Sequence, residues 1–161
     1  MFRTPSPTTD VEQLYRESRQ ALTSYFARRH GSVQTAEDLL QETFLRLMRR
    51  VDRCRLAASP KGYLFGIARH VSADTWRRAQ PTLSESAEVE SIKAPQADQR
   101  LAEAREIIAA LPPLQREILD LRFQHDLSYA EIAEALSIPI GTVRSRLHGA
   151  LEILREKMEK D

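Results

Sequence analysis

The sequence predicts an all-α protein made of two small helical domains, an N-terminal helical bundle and a C-terminal helix-turn-helix, joined by a flexible acidic linker. Three observations predict it. Apolar residues recur at three- and four-residue spacing through most of the chain, as in helices that bury one stripe. Only five glycines occur, aromatics make up 6%, and no valine-rich alternating run suggests a strand. Between residues 81 and 100 the periodicity lapses, and Pro81, Ser84, Ser86, Ser91 and Pro95 gather among Glu85, Glu88, Glu90 and Asp98. Such a composition buries too little apolar surface to fold. The 161 residues therefore divide into 1–80, 81–100 and 101–161, with negative charge expected between two more basic units.

Residues 1–9 are polar and proline-bearing, a short tail. Val11, Leu14, Tyr15, Ser18, Leu22, Tyr25 and Phe26 then mark a helix running to about His30, with Gly31 as its C-terminal cap. Thr35 and Asp38 have the spacing of a capping pair for the next helix, whose stripe is Ala36, Leu39, Leu40, Thr43, Phe44, Leu47 and Val51. After a basic loop, Ser59 and Pro60 start a third helix with Leu64, Ile67, Ala68, Val71 and Thr75 turned inward. The second unit opens with Leu101, Ala104, Ile108 and Leu111, is punctuated by Pro112 and Pro113, and continues through Leu114, Ile118 and Leu121. Ser128 precedes Glu131 by three residues, so each side chain can satisfy the other's free amide at a helix start. Ile132, Ala133 and Leu136 bury that helix's inner face, Ser137, Ile138 and Pro139 break it, and Pro139 opens the last helix. Its stripe is Val143, Leu147, Ala150, Leu151, Leu154 and Met158.

Composition limits function. Lys plus Arg at 24 against Asp plus Glu at 23 give a formal charge of +1, too weak to hold duplex DNA unaided, so affinity must come from segregated charge or from another subunit. Cys54 is alone, which leaves neither a disulfide nor a cysteine cluster for zinc. With no signal peptide or membrane span in view, the cytoplasm is the natural compartment. A metal reading of Glu37, Asp38 and Glu42 with His30 has no second histidine at ligand spacing, so no metal and no cofactor are expected. No phosphate loop or nucleophile elbow marks an enzyme, and no catalytic residue is assigned.

The outer side of the last helix carries Gly141, Thr142, Ser145, His148 and Gly149, with Arg144 and Arg146 on its flanks. In a helix-turn-helix the second helix enters the major groove N-terminus first, small residues permit close approach, and arginines reach guanine edges or phosphates. An ordinary helical hairpin with a solvated basic face is the alternative. Ala133, Ser137 and Val143 fall where the motif needs a small contact, a turn and a buried anchor, which favours DNA. Ser137 stands where the turn usually carries glycine and must adopt a left-handed φ.

Three segments resemble those of bacterial RNA polymerase sigma factors of the extracytoplasmic-function (ECF) group. Ala36 to Phe44 resembles the family's polymerase-binding helix, Gly62 to His70 its promoter-melting helix, and Ile138 to Leu147 its reader of the −35 element. The resemblance covers Leu14 to Met158 except the linker. It departs at Ser137 and at Thr35, where many relatives carry an acid. It implies that 1–80 is sigma region 2, which binds core polymerase and recognises and melts the −10 element, and that 101–161 is region 4. Glu37, Asp38, Gln41, Glu42 and Arg46, largely outside the buried stripe, would then dock on the β′ coiled coil, and the second domain would contact the β flap. Gly141, Thr142, Arg144, Ser145, Arg146 and His148 would read the −35 groove. Arg53, Arg55, Ser59, Tyr63, Arg69, His70, Trp76 and Arg77 mix rings and cations, as a melted −10 strand requires, and the loop from Asp52 to Ser59 would capture an extruded base. Promoter DNA, core polymerase and an anti-sigma factor are the implied partners, with no membrane insertion. Two other readings remain open at this point: a sigma-like mimic that binds an anti-sigma factor, and a stand-alone helix-turn-helix regulator, which would need a dimer.

Overall fold

The computed structural model describes residues 7–79 and 99–160. The architecture is all-α: eight helices, no strand among the described residues, and a division of the chain into two compact units. Residues 80–98, nearly all of the expected acidic linker, lie outside the described residues, as does most of the expected tail.

Helix α1 spans Pro7–His30, so helix begins inside the tail expected over residues 1–9. Pro7 accounts for this, because its fixed φ suits the first helical turn and it has no N–H to leave unpaired. At the other end Gly31 takes φ 68° and donates its N–H to Ala27 O at 2.9 Å, the expected cap. Helix α2 spans Val33–Met48 and does not use the Thr35 and Asp38 pair. Ser32 is the N-cap instead, its hydroxyl accepting from the Thr35 N–H at 3.3 Å. Left-handed Gly31 lets the chain turn and cap within two residues, which leaves Thr35 inside the helix.

A short helix α3, Val51–Leu56, occupies much of what the sequence suggested was a basic loop. Asp52 in its first turn and Arg53 and Arg55 in its last complement the peptide dipoles. Helix α4, Pro60–Arg78, is therefore the fourth helix and not the third, and Ser59 caps it by accepting from the Gly62 N–H at 3.0 Å. Helices α1, α2 and α4 pack on one another around Leu22, Tyr25, Phe26, Leu47, Leu64 and Phe65. Tyr25 meets Phe26 and Phe65 edge to face, with ring centroids 5.4 and 5.9 Å apart. Such pairs each contribute about 0.5 to 1.5 kcal/mol beyond their buried area.

Helix α5 spans Gln99–Ala109 and buries no residue fully. Leu101, expected in its stripe, is exposed, because α5 packs principally on α8 and is covered along one side. Helix α6, Pro113–Phe123, buries Ile118, Leu119 and Leu121. Helix α7, Tyr129–Leu136, starts with the expected reciprocal cap: Glu131 N–H to Ser128 Oγ at 3.1 Å and Ser128 N–H to Glu131 Oε1 at 3.0 Å. Ser137 turns the chain at φ 53°, the left-handed conformation its position demanded. Pro139 sits one residue before the first helical position of α8, which spans Ile140–Glu159. Val143, Leu147 and Ala150 are buried, while Leu151 is exposed on the edge of the stripe.

Candidate nucleic-acid and polymerase interfaces

The exposure of the face of α8 expected to read DNA follows from the helix register. With Val143, Leu147 and Ala150 turned inward, Gly141, Arg144, Ser145, Arg146 and His148 are exposed and Thr142 is half-buried. A Cβ at Gly141 would meet nothing within 4 Å, so glycine there leaves an open approach rather than filling a tight contact. The Ser145 hydroxyl donates to Thr142 O at 3.2 Å, and His148 lies 3.4 Å from Glu152. Among the described residues Arg144 and Arg146 form no ion pair. Gly149, read as part of the outer face, is corrected: it is half-buried, and a Cβ there would come within 3.4 Å of the Gln115 side chain of α6.

On α2, Glu37, Asp38 and Gln41 are exposed, while Glu42 and Arg46 are half-buried. Arg46 donates to Glu42 at 2.9 Å and, across to α4, to Asp74 at 3.0 Å. Asp74's other oxygen accepts from Arg77 at 2.6 Å. The Arg46 hydrogen bond, with Arg77 adding to it, holds the Asp74 carboxyl below the usual carboxylate range. Glu42 and Asp74 in turn hold the Arg46 guanidinium above its ordinary value despite partial burial. Asp74 was missed by sequence reasoning; its only sequence signal is its position three residues before Arg77 on the same helix face. Leu45 and Met48 were also missed. Both are exposed, and with Glu37 and Gln41 they continue one stripe along α2 at four- and three-residue spacing. Their signal was available, since they are apolar residues outside the buried stripe.

The residues expected at a melted strand are distributed over α3 and α4. Arg53, His70 and Arg77 are exposed; Tyr63 and Arg69 are half-buried. Arg55 donates to Asp10 of α1 at 3.1 Å, beside a cleft of about 360 Å³ lined by Val11, Leu14, Leu47, Val51 and Cys54. Burial pushes the Cys54 thiol up from its usual range, away from the reactive thiolate. Ser59 is the cap of α4, so its hydroxyl already has a structural partner. Phe65 is fully buried, whereas Trp76 is 52% exposed and stacks on His30, with centroids 5.1 Å apart and planes at 22°.

Charge is segregated, but not as expected. Residues 1–80 carry 14 Lys and Arg against 8 Asp and Glu, while residues 101–161 carry 8 against 11. The acidic stretch therefore does not separate two basic units. Among the described residues no group of three His, Cys, Asp or Glu is placed to hold a metal, and no helix is long and apolar enough to cross a membrane.

A basic helical bundle followed by a helix-turn-helix with open arginines is the arrangement expected of a helical DNA-binding protein. Comparison with known proteins gives the family. Residues 14–82 match the family model for sigma-70 region 2, and residues 101–154 that for sigma-70 region 4. The ECF RNA polymerase sigma factor SigC of Mycobacterium tuberculosis is 37% identical over 137 residues, covering 81% of this chain and 74% of that protein. SigW of Bacillus subtilis is 30% identical over 145 residues, covering 80% and 78%. The solved sigma factor RpoE of Bartonella quintana, in complex with the anti-sigma factor NepR, shares the fold at TM-score 0.63 and 24% identity, over 94% of this chain and 98% of that one. The chain belongs to the sigma-70 family, in its ECF group.

Proposed function

We propose that this chain binds core RNA polymerase, directs it to specific promoters and carries out no chemistry itself. It acts as an initiation factor in the cytoplasm, and polymerase supplies nucleotide addition. The observation that carries this reading is the order of two matched sigma regions in one short chain, the second presenting Arg144 and Arg146 without acidic partners. In this reading residues 1–80 act as region 2, 101–161 as region 4, and 81–100 link them.

Residue roles follow the surfaces. Glu37, Asp38, Gln41, Glu42 and Arg46 form the polymerase-binding face, and Leu45 and Met48 supply its apolar contact, since desolvated side chains near the centre of an interface dominate its energy. Gly141, Thr142, Arg144, Ser145, Arg146 and His148 enter the −35 groove. Arg53, Arg55, Tyr63, Arg69, His70, Trp76 and Arg77 hold the opened −10 strand, Ser59 fixing the start of α4 beneath it. The segment from Asp52 to Ser59 captures the extruded base. The small net charge fits a factor that stays off DNA until polymerase adds affinity. An anti-sigma factor, as in the complex of the Bartonella quintana relative, is the expected regulator.

Run-off transcription by purified core polymerase on a genomic promoter library, with and without the chain, tests the reading. New starts sharing paired −35 and −10 elements are expected. Absence of polymerase binding would overturn the reading in favour of a mimic or a stand-alone regulator. Arg144→Ala should cost about 1 to 3 kcal/mol of promoter affinity with specificity relaxed at one position, whereas equal loss on every sequence would assign it to phosphate.

A further inference from the structure

Trp76 and His30 form a pair whose geometry the roles above leave unused. We infer that His30 is a positioning residue for strand opening, holding the Trp76 indole as a platform on which an unpaired nucleobase stacks. The inference rests on the reading of α4 as the −10 strand surface.

His30 ends α1, and Gly31 at φ 68° turns the chain immediately after it, so the base of the side chain is anchored. Its Nε2 lies 2.9 Å from the Ser72 hydroxyl, one helical turn before Trp76 on α4. That hydrogen bond fixes the imidazole against the helix that carries the indole. The two rings are stacked at 5.1 Å and 22°, and the indole remains 52% exposed. One face of Trp76 is therefore backed by a ring, leaving the indole open to a further ring from solvent. Arg77, the next residue on α4, is exposed and bound to Asp74 at 2.6 Å, so a cation lies near the indole for the phosphate of a stacked nucleotide. A tryptophan on a bare helix surface samples several rotamers and must be ordered on binding, whereas a backed indole is ordered in advance. Partial burial and the nearby Arg29 keep the imidazole's pKa below its ordinary value, which favours the neutral ring that stacks without a charge to solvate.

Trp76 is the only tryptophan, so the emission of the free chain reports directly on this pair. The experiment measures three variants, His30→Ala, His30→Phe and Trp76→Ala, in holoenzyme by the anisotropy of a fluorescent single-stranded −10 oligonucleotide, and the two His30 variants as free chains by tryptophan emission. His30→Ala should shift the emission to the red and weaken oligonucleotide binding by about three- to tenfold, a fraction of a stacking interaction. His30→Phe, which stacks but cannot hydrogen-bond Ser72, should restore most of the binding. Binding unchanged in His30→Ala, or equally weak in His30→Phe, overturns the positioning role. If Trp76→Ala itself binds as tightly as wild type, the assignment of Trp76 to the strand surface fails, and the inference with it. Loss in Trp76→Ala without loss in His30→Ala sinks the inference and leaves that assignment standing.

Discussion

Three cations of the N-terminal helices and two at the start of α8 are held in opposite ways. In α1 to α4, Arg46, Arg55 and Arg77 are each tied to a carboxylate on a helix nearby or on their own: Glu42 and Asp74, Asp10, and Asp74 again. In α8, Arg144 and Arg146 are exposed with no ion pair among the described residues. The overall charge runs the other way, since the N-terminal stretch is strongly basic and the C-terminal one slightly acidic. Net charge therefore does not point to the surface proposed to read the duplex. What matters is which cations lack a partner inside the protein, because a paired guanidinium must exchange a carboxylate for a phosphate, and an unpaired one exchanges only water and counterions. The cores differ too. Tyr25, Phe26, Phe44 and Phe65 are buried in the N-terminal helices, and aliphatic residues such as Ile118, Leu121, Leu127, Val143 and Leu147 in the C-terminal ones.

The largest effect that sharpens this contrast is in the cores. Phe65→Ala should destabilise the N-terminal helices by about 3 to 5 kcal/mol, read by chemical denaturation, with Leu121→Ala in the broader range of about 2 to 5 for the C-terminal ones. A Phe65→Ala cost under about 1 kcal/mol would break the claim that aromatic packing organises that region. Next comes the start of α7. Ser128→Ala removes one half of the reciprocal cap and should lower stability by about 1 kcal/mol, read by chemical denaturation. A smaller gain is expected at the turn itself: Ser137→Gly relieves the left-handed strain and should raise the unfolding free energy by up to about 1 kcal/mol, read by chemical denaturation. The smallest is a pH effect confined to the N-terminal helices. His30 binds a proton less readily when folded than when unfolded, so its contribution is present above the ordinary 6.5 and is lost as pH falls below it. The midpoint of His30→Phe should fall less than that of wild type on acidification. Identical pH profiles would show that His30 carries no such contribution.

Much of the fold was legible because helices announce themselves by period and by caps. The Ser128 and Glu131 cap, the Ser59 start and the Gly31 stop need only local chemistry, and all three are present. Where two capping residues competed, as Ser32 did with Thr35, the spacing rule chose the wrong one, because the choice depends on the φ of the preceding glycine. Helix α3 was read as a loop, since six residues show too little of a stripe to count. At the candidate surfaces, exposure of Arg144, Arg146 and His148 followed from register alone. The tethers of Arg46 to Asp74 and of Arg55 to Asp10 did not, because those carboxylates reach them from helices distant in sequence; of the Asp10 and Asp74 ties only the Asp74 and Arg77 pair, three residues apart on α4, had a local signal. The interface placement of Gly149 likewise depended on where α6 packs.

The connections among the first four helices are very short: two residues between α1 and α2, two between α2 and α3, three between α3 and α4. Helices so joined find their packing partners with little loop closure, which puts the folding of such bundles on the order of microseconds to milliseconds. A chain newly released from the ribosome would complete this bundle almost at once. The time that bundle needs to become available after synthesis would then be set by translation of its residues and not by a slow search for its packing.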